Sequence, residues 1–189
     1  MKEITDDQLR DIVKSEYPYK GHILDLRIDH VKFPSGKVKV REVVEHKSAV
    51  AMFAVNGRGE ICLVSQYRHA VDQNILEIPA GIIEPGENPE DAASRELQEE
   101  IGCKHGRLVK ISDFYSSPGY STERIILYYA FDLAKSKLPG DDDEYINTHW
   151  FSVSEFALKV ANGEINDGKT LFAYYWYLAG KNNNAFIGN

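Results

Sequence analysis

The chain has 189 residues, 43% of them hydrophobic, and 22 Lys and Arg against 29 Asp and Glu give a formal charge of −7. That length allows one sizeable core with a small appended subdomain, and the acidic balance argues against sequence-independent nucleic-acid binding, which needs clustered basic residues to displace counterions. Only two cysteines occur, Cys62 and Cys103, in neither a zinc spacing nor a disulfide framework, and no window reaches the ~20 apolar residues of a membrane span, so a cytoplasmic enzyme with reduced thiols is expected.

The first 20 residues, charged and carrying Tyr17 and Tyr19 around Pro18, predict a short helix leading into a sheet. From Gly21 to Arg68 the pattern is strand-like. GHILDLRIDHVKF and KVKVREVVEH flank a Pro34-Ser35-Gly36 turn, and SAVAMFAV and EICLVSQYRH flank Asn56-Gly57-Arg58-Gly59, which predicts two successive hairpins. A subdomain boundary is expected near His46, separating a small antiparallel β subdomain (1–46) from the main domain (47–189).

Pro89 to Ile101 is the strongest helix candidate. Asn88 is placed as N-cap, Pro89 at the first helical position, Glu90 and Asp91 in the first turn, and Gly102 past the end. Strand patterns return at Leu108 to Phe114 and Glu123 to Phe131, an acidic loop spans Leu138 to Tyr145, and Thr148 to Phe151 is a last strand. Two helical patterns close the chain, near Ser154 to Asn162 and Lys169 to Leu178. Strands on both sides of a central helix, then C-terminal helices, predict a mixed α/β (α+β) sandwich.

On the central helix, Glu96 and Glu100 share a face, with Glu99 beside them. Like charges so spaced destabilise a helix by a few tenths of a kcal/mol per pair, roughly, so a cation should offset them. Arg95 can reach Glu99 or Asp91 but cannot neutralise every acid. A hard divalent cation, Mg²⁺ above all, fits the surplus. A Glu-rich helix is by default a solvated face. Here Gly81-Ile-Ile-Glu-Pro-Gly-Glu87 feeds straight into it, a glycine-containing loop that lets backbone approach an ion or phosphate.

The segment GIIEPGENPEDAASRELQEEIGC, Gly81 to Cys103, resembles the Nudix box, Gx5Ex7REUxEExGU with U aliphatic. Gly81, Glu87, Arg95, Glu96, Leu97, Glu99, Glu100 and Gly102 fall in register; Cys103 departs at the final aliphatic position, where a small buried thiol can replace a hydrophobe. The resemblance implies a Nudix fold, a mixed sheet between helices, that hydrolyses a nucleoside diphosphate linked to a further group with Mg²⁺, or else Mn²⁺, as cofactor. It carries metal-ligand roles over to Glu96, Glu100, Glu99 and the Ala80 carbonyl. Arg95 matches the arginine that orients the box glutamates, with Glu87 its loop partner.

Gln66-Tyr-Arg68, Leu76-Glu-Ile-Pro-Ala-Gly81 and Ser117-Pro-Gly-Tyr-Ser-Thr-Glu123 further resemble the ADP-ribose pyrophosphatase branch. Pro118 sits where that branch carries a proline, and Pro118 with Gly119 is assigned to substrate binding. Arg68 matches the arginine that contacts the diphosphate, and Arg41 one supplied from the N-terminal sheet, where two subunits commonly exchange strands, so a homodimer is implied. Tyr17, Tyr19 and Phe33 are available to stack on a nucleobase, and no motif selects one of them. The acidic loop is expected to supply the general base, Glu144, with Asp142 and Glu99 as rivals. ADP-ribose would yield AMP and ribose 5-phosphate. The rival readings are another nucleoside diphosphate sugar such as GDP-mannose, and a catalytically silent nucleotide-binding module, which retention of every box glutamate disfavours. Neither nucleic acid nor membrane is an expected partner.

Overall fold

The computed structural model describes residues 11–140 and 146–183. The chain folds into two compact units, one reaching to Ser48 and including Tyr115–Arg124, the other comprising Ala49–Phe114 with the residues from Ile125 onward.

The first unit is an antiparallel sheet of β1 (Asp11–Lys20), β2 (Leu24–Lys32) and β3 (Val38–His46), in that order. The helix expected within the first 20 residues is not formed by residues 11–20, which are strand throughout. Pro18 explains the failure. It would break a helix interior but is tolerated in a strand at an irregularity, and the β1–β2 register shifts between Glu16 and Tyr19. Because β1 is exposed along its whole length, it lacks the apolar alternation that marks a half-buried strand. On the neighbouring β2, buried Asp29 accepts from Ser15 Oγ at 2.6 Å and from Arg27 Nε, and Arg27 also pairs with Glu45.

Apart from the end residues Tyr115 and Arg124, the second unit holds β4 (Ala49–Ala54), β5 (Ile61–Arg68), β6 (Gln73–Glu77), β7 (Ala80–Ile82), α1 (Pro89–Glu100), β8 (Cys103–Lys104), β9 (Arg107–Tyr115), β10 (Arg124–Phe131), β11 (Ala134–Lys135), β12 (Asn147–Phe151), α2 (Val153–Ala161) and α3 (Gly168–Asn183). Strands run β7-β4-β10-β9 in one sheet and β12-β5-β6 in another, with β11-β8 a short pair. β4 and β10 are parallel; β4 and β7 are antiparallel.

Along β4 and β10 the side chains alternate between two cores, as a strand covered on both faces requires. Ala51, Phe53, Ile125 and Leu127 meet Phe156 of α2 and Ala173 and Tyr174 of α3. Val50, Met52, Ala54, Ile126 and Tyr128 meet Ala92, Ala93 and Leu97 of α1. The expected sandwich is therefore formed.

The second expected hairpin is not. Asn56 and Gly59, the latter at φ 76°, make the tight turn, yet β4 and β5 share only the bridge Val55–Ile61 before entering different sheets. β5 instead pairs with β6 across a 3₁₀ turn at His69–Val71. Among the described residues, no helix is long and apolar enough to cross a membrane.

Candidate functional site

The site is built on α1. Asn88 caps it, its side chain accepting from the backbone N–H of Glu90 at 3.0 Å and Asp91 at 2.9 Å, and Pro89 occupies the first turn, where no intrahelical donor is required. Gly102, at φ 65°, turns the chain away after the last residue. The helix buries Ala92, Ala93 and Leu97, which fixes the rotation that brings Arg95, Glu96, Glu99 and Glu100 to one side.

Arg95 gathers the acids. Its Nε and Nη2 donate to the two carboxylate oxygens of Glu87, each at 3.0 Å, and Nη2 also donates to the Ile82 carbonyl at 3.0 Å. Nη1 donates to Glu96 Oε1 at 2.7 Å and to Glu99 Oε2 at 2.9 Å. The hydrogen bonds to Glu87, with the charge of Glu96 and the hydrogen bonds to Glu96 and Glu99, push the guanidinium pKa well above its ordinary value against the opposing cost of burial. In return Arg95 holds the Glu87 carboxyl below the usual carboxylate range, helped by the Glu84 N–H.

Glu100 is oriented separately. Its Oε2 accepts from the Ala80 N–H at 3.1 Å, which ties the C-terminal turn of α1 to the start of β7. Gly81 follows, and a Cβ there would lie 2.0 Å from the Glu96 carboxylate. Glycine is therefore required by close approach, not by its dihedral angles.

Among the described residues, no three Asp, Glu, His or Cys side chains converge as a ready metal cage, because three of the carboxylates turn their oxygens toward Arg95. The donor set nevertheless fits a hard divalent cation. It offers oxygen only, four carboxylates stand against one guanidinium, and Glu96 lies in the space that a side chain at 81 would fill. Both cysteines are free, and burial raises the pKa of each thiol, that of Cys62 strongly, which leaves them without thiolate character.

Other predicted residues lie apart from this cluster in sequence. Arg68 ends β5, where its Nε donates to Glu77 Oε1 at 2.6 Å. Arg41 is exposed on β3, its guanidinium over the Phe33 ring at 5.5 Å; Tyr17 and Tyr19 are exposed on β1. Pro118 and Gly119 belong to a loop docked on β3, where Val44 N–H donates to the Tyr120 carbonyl at 2.7 Å and Thr122 N–H to the Val44 carbonyl at 3.0 Å. Asp142 and Glu144 fall outside the described residues. Sequence reasoning overlooked Glu77 and Lys169, which pair with each other. The available signal was a glutamate inside the apolar run Leu76 to Ala80, since a charge buried among apolar neighbours requires a partner.

Comparison with known proteins yields a match of residues 45–174 to the NUDIX domain family model. The chain is 37% identical to the ADP-ribose pyrophosphatase of Bacillus subtilis (strain 168) over 163 residues, covering 85% of this chain and 88% of that protein. It is 36% identical, with the same coverage, to the methanol dehydrogenase activator of Bacillus methanolicus. Among solved structures, that described as an ADP compounds hydrolase superposes with a TM-score of 0.83 at 20% identity, covering 94% of this chain and 97% of that one.

Proposed function

Because this chain belongs to the Nudix hydrolase family, we propose that it hydrolyses the diphosphate bond of ADP-ribose to AMP and ribose 5-phosphate with a divalent cation as cofactor. The observation that carries this reading is the fan of Glu87, Glu96 and Glu99 around Arg95. Such an arrangement holds several negative charges in a fixed geometry, and a merely solvated helix face has no need of it.

Glu96, Glu99, Glu100 and the Ala80 carbonyl are the residues that would hold the cation, Mg²⁺ or else Mn²⁺. When bound, the cation supplies positive charge beside the diphosphate and acidifies water. The protein's part is positioning. Arg95 fixes Glu96 and Glu99, and the Ala80 N–H fixes Glu100. Arg68 provides a guanidinium for the diphosphate oxygens, for which its planar fork of donors is suited. Arg41, Pro118 and Gly119 are assigned to substrate binding, and Glu144 to accepting the proton from water, ahead of Asp142 and Glu99.

The division into an N-terminal subdomain (1–46), used for dimerisation and substrate contacts, and a hydrolase domain (47–189) belongs to the same proposal. So does a homodimer in which Arg41 serves the second copy's site. A cytoplasmic location accords with a nucleotide substrate and two free cysteines.

The test is product analysis with ADP-ribose, GDP-mannose and NADH, each with Mg²⁺ and with EDTA. Release of AMP from ADP-ribose, abolished by EDTA, is expected, and Glu100→Gln should lower turnover by orders of magnitude while circular dichroism stays unchanged. AMP release that survives EDTA would remove the metal assignment, and preferential cleavage of GDP-mannose would replace the substrate.

A further inference from the structure

Glu77 is a buried carboxylate to which the reaction assigned above gives no part. It lies at the end of β6 with 2% of its surface exposed, flanked by Leu76 and Ile78. An ionised carboxylate there is costly unless it is paired and hydrogen-bonded. Two cations answer it, one on each oxygen. Arg68 Nε donates to Oε1 at 2.6 Å, and Lys169 Nζ donates to Oε2.

The far side of this network is held by further polar contacts. Lys169 also lies 3.2 Å from Asp167 Oδ1. Asp167 receives the Thr170 N–H at 3.0 Å and the Thr170 hydroxyl at 2.6 Å through its other oxygen. The Thr170 Oγ1 in turn accepts from the Ile78 N–H at 2.9 Å. The first turn of α3 is thereby fastened to the end of β6 at two adjacent residues, Glu77 and Ile78, and the Glu77 carboxylate is held from behind.

Arg68 is the exposed member. Its side chain retains 42% of its accessible surface, against 3% for Glu77 and 11% for Lys169. The bond to Glu77 is made through Nε, at the base of the guanidinium. A carboxylate fixed there constrains the plane of the fork.

We propose that Glu77 is a positioning residue for substrate binding, which aims the Arg68 guanidinium at the diphosphate and is itself braced by Lys169 at the start of α3. The proposal rests on the reading of Arg68 as a diphosphate contact. A guanidinium aimed in advance loses less freedom when the anion arrives, so the effect belongs to substrate affinity. The diphosphate is already charged before reaction, so losing this contact raises KM more than it lowers kcat.

Steady-state kinetics on ADP-ribose with Mg²⁺ should be measured for Glu77→Gln, Arg68→Ala, Arg68→Lys and the double variant Arg68→Ala/Glu77→Gln. Glu77→Gln is expected to raise KM about tenfold with kcat within about threefold of the parent. Arg68→Ala should raise KM at least as much, and adding Glu77→Gln to it should change nothing further, because the two residues act as one. Arg68→Lys tests the idea without altering Glu77. An ammonium has no separate base and fork, so it either pairs with Glu77 or reaches the substrate, and KM should rise.

If Arg68→Ala raises KM while Glu77→Gln leaves it unchanged, or if the two effects simply add, Glu77 is a structural ion pair and the inference is overturned. If Arg68→Ala leaves KM unchanged, the diphosphate assignment of Arg68 fails and takes the inference with it. Should Glu77→Gln not fold, a parental KM for Arg68→Lys would overturn the inference on its own.

Discussion

Arg95 and Gly81 act at the smallest scale, by contact distance. Arg95 spends all three guanidinium nitrogens on Glu87, Glu96, Glu99 and the Ile82 carbonyl. A lysine would supply charge without the fork. At Gly81 the constraint is steric, since an added Cβ would meet the Glu96 carboxylate at 2.0 Å. The clashing atoms are the free end of a side chain, which can swing away while the fold persists. Gly81→Ala should therefore lose most of its activity while its melting temperature falls by only about 4 °C or less. A large drop in melting temperature with full residual activity would show that the strand moves instead of Glu96. The identities of these residues were legible in the sequence because their spacing is local. The pairing of Glu77 with Lys169 was not, because it joins residues separated by 92 positions.

At the scale of elements, α1 follows its sequence closely. Asn88, Pro89 and Gly102 mark its ends through hydrogen bonds and dihedral angles that need no distant partner. Replacing Asn88 by alanine leaves the N–H groups of Glu90 and Asp91 without their acceptor. The cost is about 1 kcal/mol, or a drop in melting temperature of about 2–4 °C, which calorimetry can resolve. Activity should be largely retained, because Glu96, Glu99 and Glu100 lie on the later turns of the helix. The strands were less legible. The Asn56 to Gly59 turn was correctly placed, but a turn fixes only a change of direction. Whether β4 and β5 then stay paired depends on what else each can pair with, and β7 and β10 take β4 while β6 and β12 take β5.

For the whole molecule, the two cores on either side of β4 and β10 decide stability, and both contain titratable tyrosines. Tyr129 packs among Phe53, Phe131, Trp176 and Tyr177. Burial, then the nearby Tyr177 and Asp132, pushes its hydroxyl up from 10.0 to about 12, with Arg107 opposing. The folded state therefore holds this proton more tightly than the unfolded state. Its contribution to stability is complete below pH 10 and is lost as pH rises from there to about 12. Tyr129→Phe removes a group whose ionisation favours unfolding, so its alkaline unfolding midpoint should lie above that of the parent in a pH titration followed by circular dichroism. An unchanged midpoint would mean that other groups, such as Tyr128 and Tyr174, which burial also raises, dominate alkaline unfolding.

The sequence by itself determined the carboxylate helix, its caps, the glycine loop before it and the family to which these point, since each depends on spacings along a few turns of chain. Tertiary structure decided the rest. It made residues 11–20 a strand by giving them β2 as a partner, sent β4 and β5 into different sheets, docked the Ser117 to Glu123 segment on β3, and placed Lys169 behind Glu77. These outcomes depend on which distant groups compete for the same hydrogen bonds and buried surface, a competition that is settled only when the whole chain folds.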